Sequence, residues 1–483
     1  MGIIARQSIR NLISSYAGFF FGAINTLLLY PYFLTDAYFG LIGFLLSTAN
    51  IMMPLLAFGV PNTLVKFFSS YKTDLEKGKF TFLMLFLPLC IVVPIGIIGV
   101  ISYQEIGNLL SAKNEIIEGY IWIIYVIAIA MAYFEVFYAW AKIHMKSVFG
   151  NFLKEVFHRV VIMILLLAIH FNLISMHNFI TAIAIMYLVR TILMMFNAFS
   201  IQKPILCFNL PDNYRKVLSY SGLIILAGSV AVILLDIDKF MLGQYIAIEN
   251  IAFYNVAIFI AMVIIVPSRA MHQITYPITA ALMNNNNKQG LADLYKRSSL
   301  TLFVVSGLLF LLITLNIKQL YFILPPQYSQ GLWVVLFISI AKLSDSIIGN
   351  NNSIIFNSDY YRMMLLFGVF LAIITIFLNM IFIPLWGING SAFATLLAFL
   401  CYNGVKIWFV HHKFKIHPFS RATLKILVIV ISFILLFFLW DFNFHPILNI
   451  VLKSVLIGAG YLFLILKLSI SEDISGIIRK YIK

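Results

Sequence analysis

Charge is scarce in this sequence. Only 11% of its 483 residues are Asp, Glu, Lys or Arg, whereas an ordinary soluble domain carries roughly a quarter. A chain so composed cannot clothe itself in water-facing surface. Cysteine is scarcer still: Cys90, Cys207 and Cys401 stand far apart inside apolar runs, which excludes a disulfide framework and a thiolate metal site. Long polar stretches are absent too. No G-x-x-x-x-G-K-[ST], H-E-x-x-H or G-x-S-x-G occurs, so ATP-driven pumping and the commonest hydrolytic sites gain no support. His144, His158, His170 and His177 follow no metal-ligand spacing.

What the chain has is apolar length. Hydrophobic residues make up 62% of it and the mean hydropathy is +0.99. Apolar runs of about 20 residues, enough to cross a hydrocarbon core at about 1.5 Å per residue, recur from end to end. Bounded by charge, Pro, Gly and Asn clusters, they predict fourteen spans: 12–34, 39–65, 80–102, 119–141, 151–171, 178–199, 217–240, 251–267, 298–317, 332–354, 363–384, 388–410, 423–440 and 447–468. The first follows a polar start and is succeeded by many more, so it reads as a retained span and not a cleaved signal peptide. An all-α polytopic membrane protein is the expected fold class.

The basic residues orient it. Alternate connections hold 26 of the 33 Lys and Arg, while the opposite set holds only Lys113 and Lys318 with six acidic residues. Cytoplasmic segments retain positive charge, so both termini are expected inside. The net charge of +15 is then a topology signal and an anionic-lipid contact, with no nucleic acid implied. The longest connections are expected at 103–118 outside and 268–297 inside, the latter with a flexible tip at Asn284–Asn287. Residues 469–483 read as a cytoplasmic amphipathic tail lying on the inner leaflet, since Ile474, Ile477, Ile478 and Tyr481 fall at helical spacing beside Arg479, Lys480 and Lys483.

An internal repeat emerges from short similarities. Ser15-Tyr16-Ala17-Gly18 opens the first span and Ser219-Tyr220-Ser221-Gly222 the seventh; Tyr38-Phe39-Gly40-Leu41 leads into the second and Ala252-Phe253-Tyr254 into the eighth. These predict two pseudo-symmetric six-helix lobes, 1–203 and 204–416, with an added helix pair over 417–468.

Asp236-x-Asp238-Lys239-Phe240-Met241-Leu242-Gly243 followed by Ile251-Ala252-Phe253-Tyr254-Asn255-Val256-Ala257, Ile383-Pro384-x-x-Gly387-Ile388-x-Gly390-Ser391-Ala392, and Leu29-x-Pro31-x-Phe33-Leu34 give the chain a family likeness. It resembles the polysaccharide or O-antigen flippases of the Wzx type, within the superfamily that includes multidrug extruders and the lipid II flippase. The resemblance implies two lobes around a cavity that opens alternately to either side. It implies a cargo of oligosaccharide on undecaprenyl pyrophosphate, moved across the bacterial inner membrane for O-antigen, capsule or exopolysaccharide assembly. It implies no cofactor and no enzymatic step, possible H⁺ or Na⁺ coupling, and membrane lipids, a polysaccharide polymerase and a chain-length regulator as partners.

A flippase for an anionic head group needs basic residues inside the membrane, where a bare charge is costly. Arg159, Arg190 and Glu135 lie about eight, nine and six residues from the inner ends of spans five, six and four, hence at one depth. They form either a salt-bridged triad or a pyrophosphate contact, with Arg190 the deepest base. Lys342 is a further cargo candidate, yet Asp345 follows at i+3 and can neutralise it. Arg269, at the inner end of span eight, is placed either to meet an incoming pyrophosphate or as a topology charge. Glu135, Asp236 and Asp238 are the ion-coupling candidates, against a plain pairing of Asp236 with Lys239. Lys453 is expected to snorkel to head groups. Trp122, Tyr125, Tyr133, Tyr138 and Trp140 could stack on sugars or face lipid.

Three alternatives remain: a lipid II flippase, an ion-coupled multidrug antiporter of the same fold, and a membrane-embedded polyprenyl-linked glycosyltransferase or polymerase. Asp236-Ile237-Asp238 has the D-x-D form of a transferase, but it sits in a span with no large loop to hold a nucleotide.

Overall fold

The structure, a computed structural model, describes residues 3–205 and 209–470, giving side chains for all of these except 3–6, 8, 9 and 226–235. Beyond its first two residues, the amphipathic tail expected over 469–483 lies outside the described residues. Among the described residues every regular element is a helix. The chain divides into two compact units, Met1–Ala252 and Phe253–Lys483.

The first unit comprises α1 (Ile3–Ala23), α2 (Tyr30–Phe33), α3 (Asp36–Leu56), α4 (Val60–Phe67), α5 (Asp74–Phe86), α6 (Leu89–Ile101), α7 (Tyr103–Ser111), α8 (Ile121–Ile143), α9 (Val148–Phe152), α10 (His158–His170), α11 (Met176–Ile201) and α12 (Tyr214–Tyr245). Two π-helical turns interrupt it, Ile24–Leu29 after α1 and Leu153–Phe157 before α10. The central helix is α8, which packs on α3, α4 and α11. Its buried face is rich in alanine, at 128, 130, 132, 139 and 141. Small residues matter because lipid tails solvate apolar side chains as well as a protein core does, so close backbone packing holds spans together.

From α13 (Glu249–Met262), which straddles the division, the chain continues through α14 (Val266–Asn284), α15 (Lys288–Ile323), α16 (Leu332–Ile347), α17 (Asn351–Phe356), α18 (Met363–Phe414), α19 (Arg421–Phe437) and α20 (Pro446–Lys467). Here α15 is central and packs on α14, α16, α19 and α20. A core of Phe303, Phe310, Leu311, Val430, Phe433, Ile457 and Tyr461 ties the C-terminal pair to it. The Tyr461 hydroxyl donates to the Val304 carbonyl at 3.0 Å, satisfying a polar group that hydrocarbon would not.

Local sequence explains most ends. A reciprocal Thr73–Glu76 capping box starts α5, Ser175 caps α11, and Ser420 with Thr423 caps α19. Glycines end or break helices where the left-handed conformation is needed: Gly59 at φ 65° between α3 and α4, and Gly387 at φ 56° inside α18.

Ten helical stretches among the described residues are long and apolar enough to cross a membrane, and the chain is a multi-pass membrane protein. One of the ten, Met363–Phe414, is broken at Gly387, the junction expected between spans eleven and twelve. The expected spans five, seven and thirteen fall on α9–α10, α12 and α19. Two expected loops are largely helical instead. Residues 268–297 form most of α14 and the start of α15, joined by a turn through Asn286 at φ 51°, and 103–118 contains α7. Helical hydrogen bonding runs on through polar residues after an apolar run stops, so hydropathy ends these helices too early.

Candidate functional site

Arg190 stands near the middle of α11. Its neighbour Thr191 donates to the Ala130 carbonyl at 2.6 Å, which fixes α11 against α8 and turns Arg190 inward. The residue is 6% exposed. Its guanidinium lies 4.3 Å from the Phe134 ring centroid and 4.6 Å from that of Tyr187. Its Nε finds no acceptor, and among the described residues no carboxylate lies within ion-pair distance of it. Two desolvated cation–π contacts supply about 2 kcal/mol each, of the same order as the several kcal/mol lost on taking the cation out of water.

Glu135 and Arg159 share this depth but belong to other partnerships. Lys154 Nζ lies 2.5 Å from Glu135 Oε1. Arg159 Nη1 pairs with Glu155 at 3.3 Å and also donates to the Glu155 carbonyl at 2.9 Å. The triad considered from the sequence therefore resolves into two ion pairs and an enclosed Arg190 that stays within electrostatic reach of Glu135. Depth along a helix does not fix direction around it, and the π turn at Leu153–Phe157 inserts the register change that aims Lys154 at Glu135. The first π turn answers this one: Asn25 donates to the Arg159 carbonyl at 2.8 Å. Above it Gly18 lies so close that a Cβ would overlap the Glu155 carbonyl oxygen.

On α12 the buried Asp236 accepts from Lys239 Nζ at 3.3 Å, one helical turn on. Asp238 is buried as well. Tyr187, which holds one face of Arg190, lies within electrostatic reach of Asp236, so α11 and α12 bring both signs of charge to one region of the first unit. Of the aromatic residues expected to stack on sugars, Trp140 is instead packed in a core with Phe137, Met194 and Ala198. Trp122 and Tyr125 line an apolar pocket of about 150 Å³ with Thr48, Ile95 and Tyr103.

In the second unit Arg269 is exposed in the first turn of α14. Lys342 is buried with its ammonium 4.2 Å from the Phe399 ring centroid. Asp345 also has Lys406 within 3.8 Å. Sequence reasoning missed Lys406: it lies within the predicted span 388–410, but its nearness to the span's end put it among the topology charges. Its side chain is fully buried. Lys453 departs from expectation in the same way. It does not snorkel; its side chain is 1% exposed and bonds Asp441 at 2.9 Å, because the connection between α19 and α20 folds back over it.

No family model matches the chain, and no curated protein does. Solved structures do match. A lipid II flippase, MurJ, in an inward closed conformation aligns with a TM-score of 0.71 at 14% identity, covering 96% of this chain and 99% of that one. An inward-facing multidrug resistance MATE family transporter of the MOP superfamily gives 0.62 at 13% identity over 86% of this chain and 98% of its own. An outward-facing transporter of that description gives 0.57 at 15% over 86% and 95%. The chain therefore has the fold of flippases and transporters of the MATE-like type.

Proposed function

We propose that this chain flips undecaprenyl-pyrophosphate-linked oligosaccharide repeat units across the bacterial inner membrane by alternating access, with both termini cytoplasmic, and that it is not an enzyme. The observation that carries the reading is Arg190: a buried guanidinium held against two rings, with no carboxylate within ion-pair distance among the described residues, suits an anionic diphosphate. It would repel a cationic drug. Arg159, Arg269 and Lys342 are proposed as further cargo contacts, and Glu135, Asp236 and Asp238 as candidates for H⁺ or Na⁺ coupling. A polysaccharide polymerase and a chain-length regulator are the proposed partners.

Lipid II as cargo is a second reading, favoured by the likeness to a lipid II flippase over 96% of the chain, against 86% for the drug transporters. Both cargoes share the polyprenyl diphosphate, and they differ in the sugar. Proteoliposomes loaded with undecaprenyl-pyrophosphate oligosaccharide, lipid II or a cationic dye separate the readings, scored by access of an external lectin or glycosidase to the sugar and by dye efflux. Oligosaccharide-lipid movement that depends on Arg190 supports the proposal. Movement of lipid II alone transfers the function to that cargo, and dye efflux without lipid movement overturns it.

A further inference from the structure

At the end of the first unit where the chain begins, α1 packs on α9, and polar side chains clasp the two. Gln7 Nε2 donates to the Met145 carbonyl. Asn11 donates to Ser147 Oγ at 3.0 Å, Ser147 in turn to Gln7 Oε1 at 3.3 Å, and Asn151 to the Asn11 carbonyl at 3.0 Å. The turn between α8 and α9 that presents these groups is left-handed at Met145, φ 57°. Gln7 and Asn11 stand four apart, on one stripe of α1. On the adjoining stripe Arg10, Ile13 and Ser14 stand off from Val148, Phe149 and Phe152, leaving an open groove of about 480 Å³.

The groove is apolar along its length and basic at its rim. Ile13, Phe149 and Phe152 are exposed, a surface suited to hydrocarbon, and Ser14 is the one hydroxyl among the lining residues. Arg10 is exposed at the rim, and so is Lys146, next in sequence to the Met145 carbonyl that Gln7 reaches, one helical turn from Arg10. Charge around the rim has a single sign. No acidic residue precedes Asp36 and none stands between Glu135 and Glu155, whereas Arg10, Lys142 and Lys146 fall within those two segments. The flanking carboxylates are already engaged, Glu135 with Lys154 and Glu155 with Arg159.

We propose that this groove binds one anionic phospholipid, its acyl chain lying between α1 and α9 and its phosphate on Arg10 and Lys146. A guanidinium meets phosphate oxygens through parallel N–H donors, and basic pockets between spans are where anionic head groups are held. The apolar walls call for a chain, and the rim calls for a negative head attached to it. A second copy of this chain is the wrong occupant, because a two-fold contact through the groove would set the same bases against each other. Bound lipid bridges α1 to α9 beside the amide clasp and stabilises that contact by mass action.

The test needs neither cargo nor transport, so its outcome is independent of the flippase reading. The purified full chain in detergent is titrated with dioleoylphosphatidylglycerol and with dioleoylphosphatidylcholine, which share acyl chains and differ in head-group charge. Native mass spectrometry reads lipid adducts and oligomeric state together. The wild type is expected to take up the first phosphatidylglycerol about fivefold more tightly than phosphatidylcholine, or better, the effect of one base near a lipid head group. Arg10→Gln is expected to remove most of that preference and Lys146→Gln part of it. Ser14→Phe, which fills the groove, is expected to weaken both lipids; should it not fold, Val148→Phe fills the groove from the other wall. Lys288→Gln, an exposed base on the second unit, should change nothing. Equal affinities in the wild type, a preference that survives Arg10→Gln, or lipid uptake untouched by filling the groove overturns the proposal. A preference that falls as far in Lys288→Gln overturns it in favour of general surface charge, and a wild-type dimer abolished by Ser14→Phe overturns it in favour of a second copy.

Discussion

Lys453 and Asp441, twelve residues apart, meet at 2.9 Å through a fold-back of the α19–α20 connection that leaves the lysine 1% and the aspartate 29% exposed. The two positions are therefore unequal. Removing the carboxylate strands a buried ammonium, whereas removing the ammonium leaves a carboxylate that water still reaches. Asp441→Ala is expected to destabilise the protein by about 3 kcal/mol, the lower end for breaking a buried pair. Lys453→Met should cost much less, and thermal unfolding in detergent measures both. Equal losses would show that Lys453 is not the residue that needs its partner.

Arg190 is expected to be the base whose loss most impairs translocation of a diphosphate-linked cargo. Arg190→Ala should slow flipping in proteoliposomes by about tenfold or more, and Arg190→Lys should restore only part, because an ammonium lacks the planar face that stacks on Phe134 and Tyr187. A correctly inserted Arg190→Ala protein flipping at the wild-type rate removes the cargo contact.

The Glu135–Lys154 pair predicts a similar asymmetry. Lys154 is 43% exposed and Glu135 17%, so Lys154→Ala should destabilise more than Glu135→Ala. A double-mutant cycle read by thermal unfolding should return a coupling of about 1 kcal/mol. A coupling near zero would mean that the short contact contributes nothing net.

Gly18 and Gly222 occupy matching places in the sequence repeat but different surroundings. A Cβ at Gly18 would overlap the Glu155 carbonyl, while one at Gly222 meets nothing within 4 Å. Gly18→Ala is expected to cost about 2 kcal/mol through overpacking against backbone. Gly222→Ala should be neutral or stabilising by up to about 1 kcal/mol through helix propensity. The measured order of unfolding temperatures checks the pair.

Hydropathy located the helices because a span must satisfy its own backbone hydrogen bonds within one continuous apolar run. The same reasoning failed at the polar stretch 268–297, where α14 and α15 continue beyond the apolar core. It failed at Lys406 and Lys453 for another reason. A lysine near the end of a predicted span reads as interfacial, and only the packing of neighbouring helices shows that its ammonium is enclosed.

By itself the sequence determined an all-helical chain threaded many times through a membrane, since scarce charge and apolar runs of spanning length leave no other way to satisfy the backbone. It also singled out Arg190, because a base in the middle of an apolar run is costly wherever its helix packs. The Asp236–Lys239 pair was legible as neighbours one helical turn apart, but which carboxylates Lys154, Lys406 and Lys453 meet was decided by tertiary structure. That choice depends on the direction of a side chain around its helix, which a π turn at Leu153–Phe157 or a break at Gly349 resets. Depth can be counted along a chain, but azimuth is set only when helices pack.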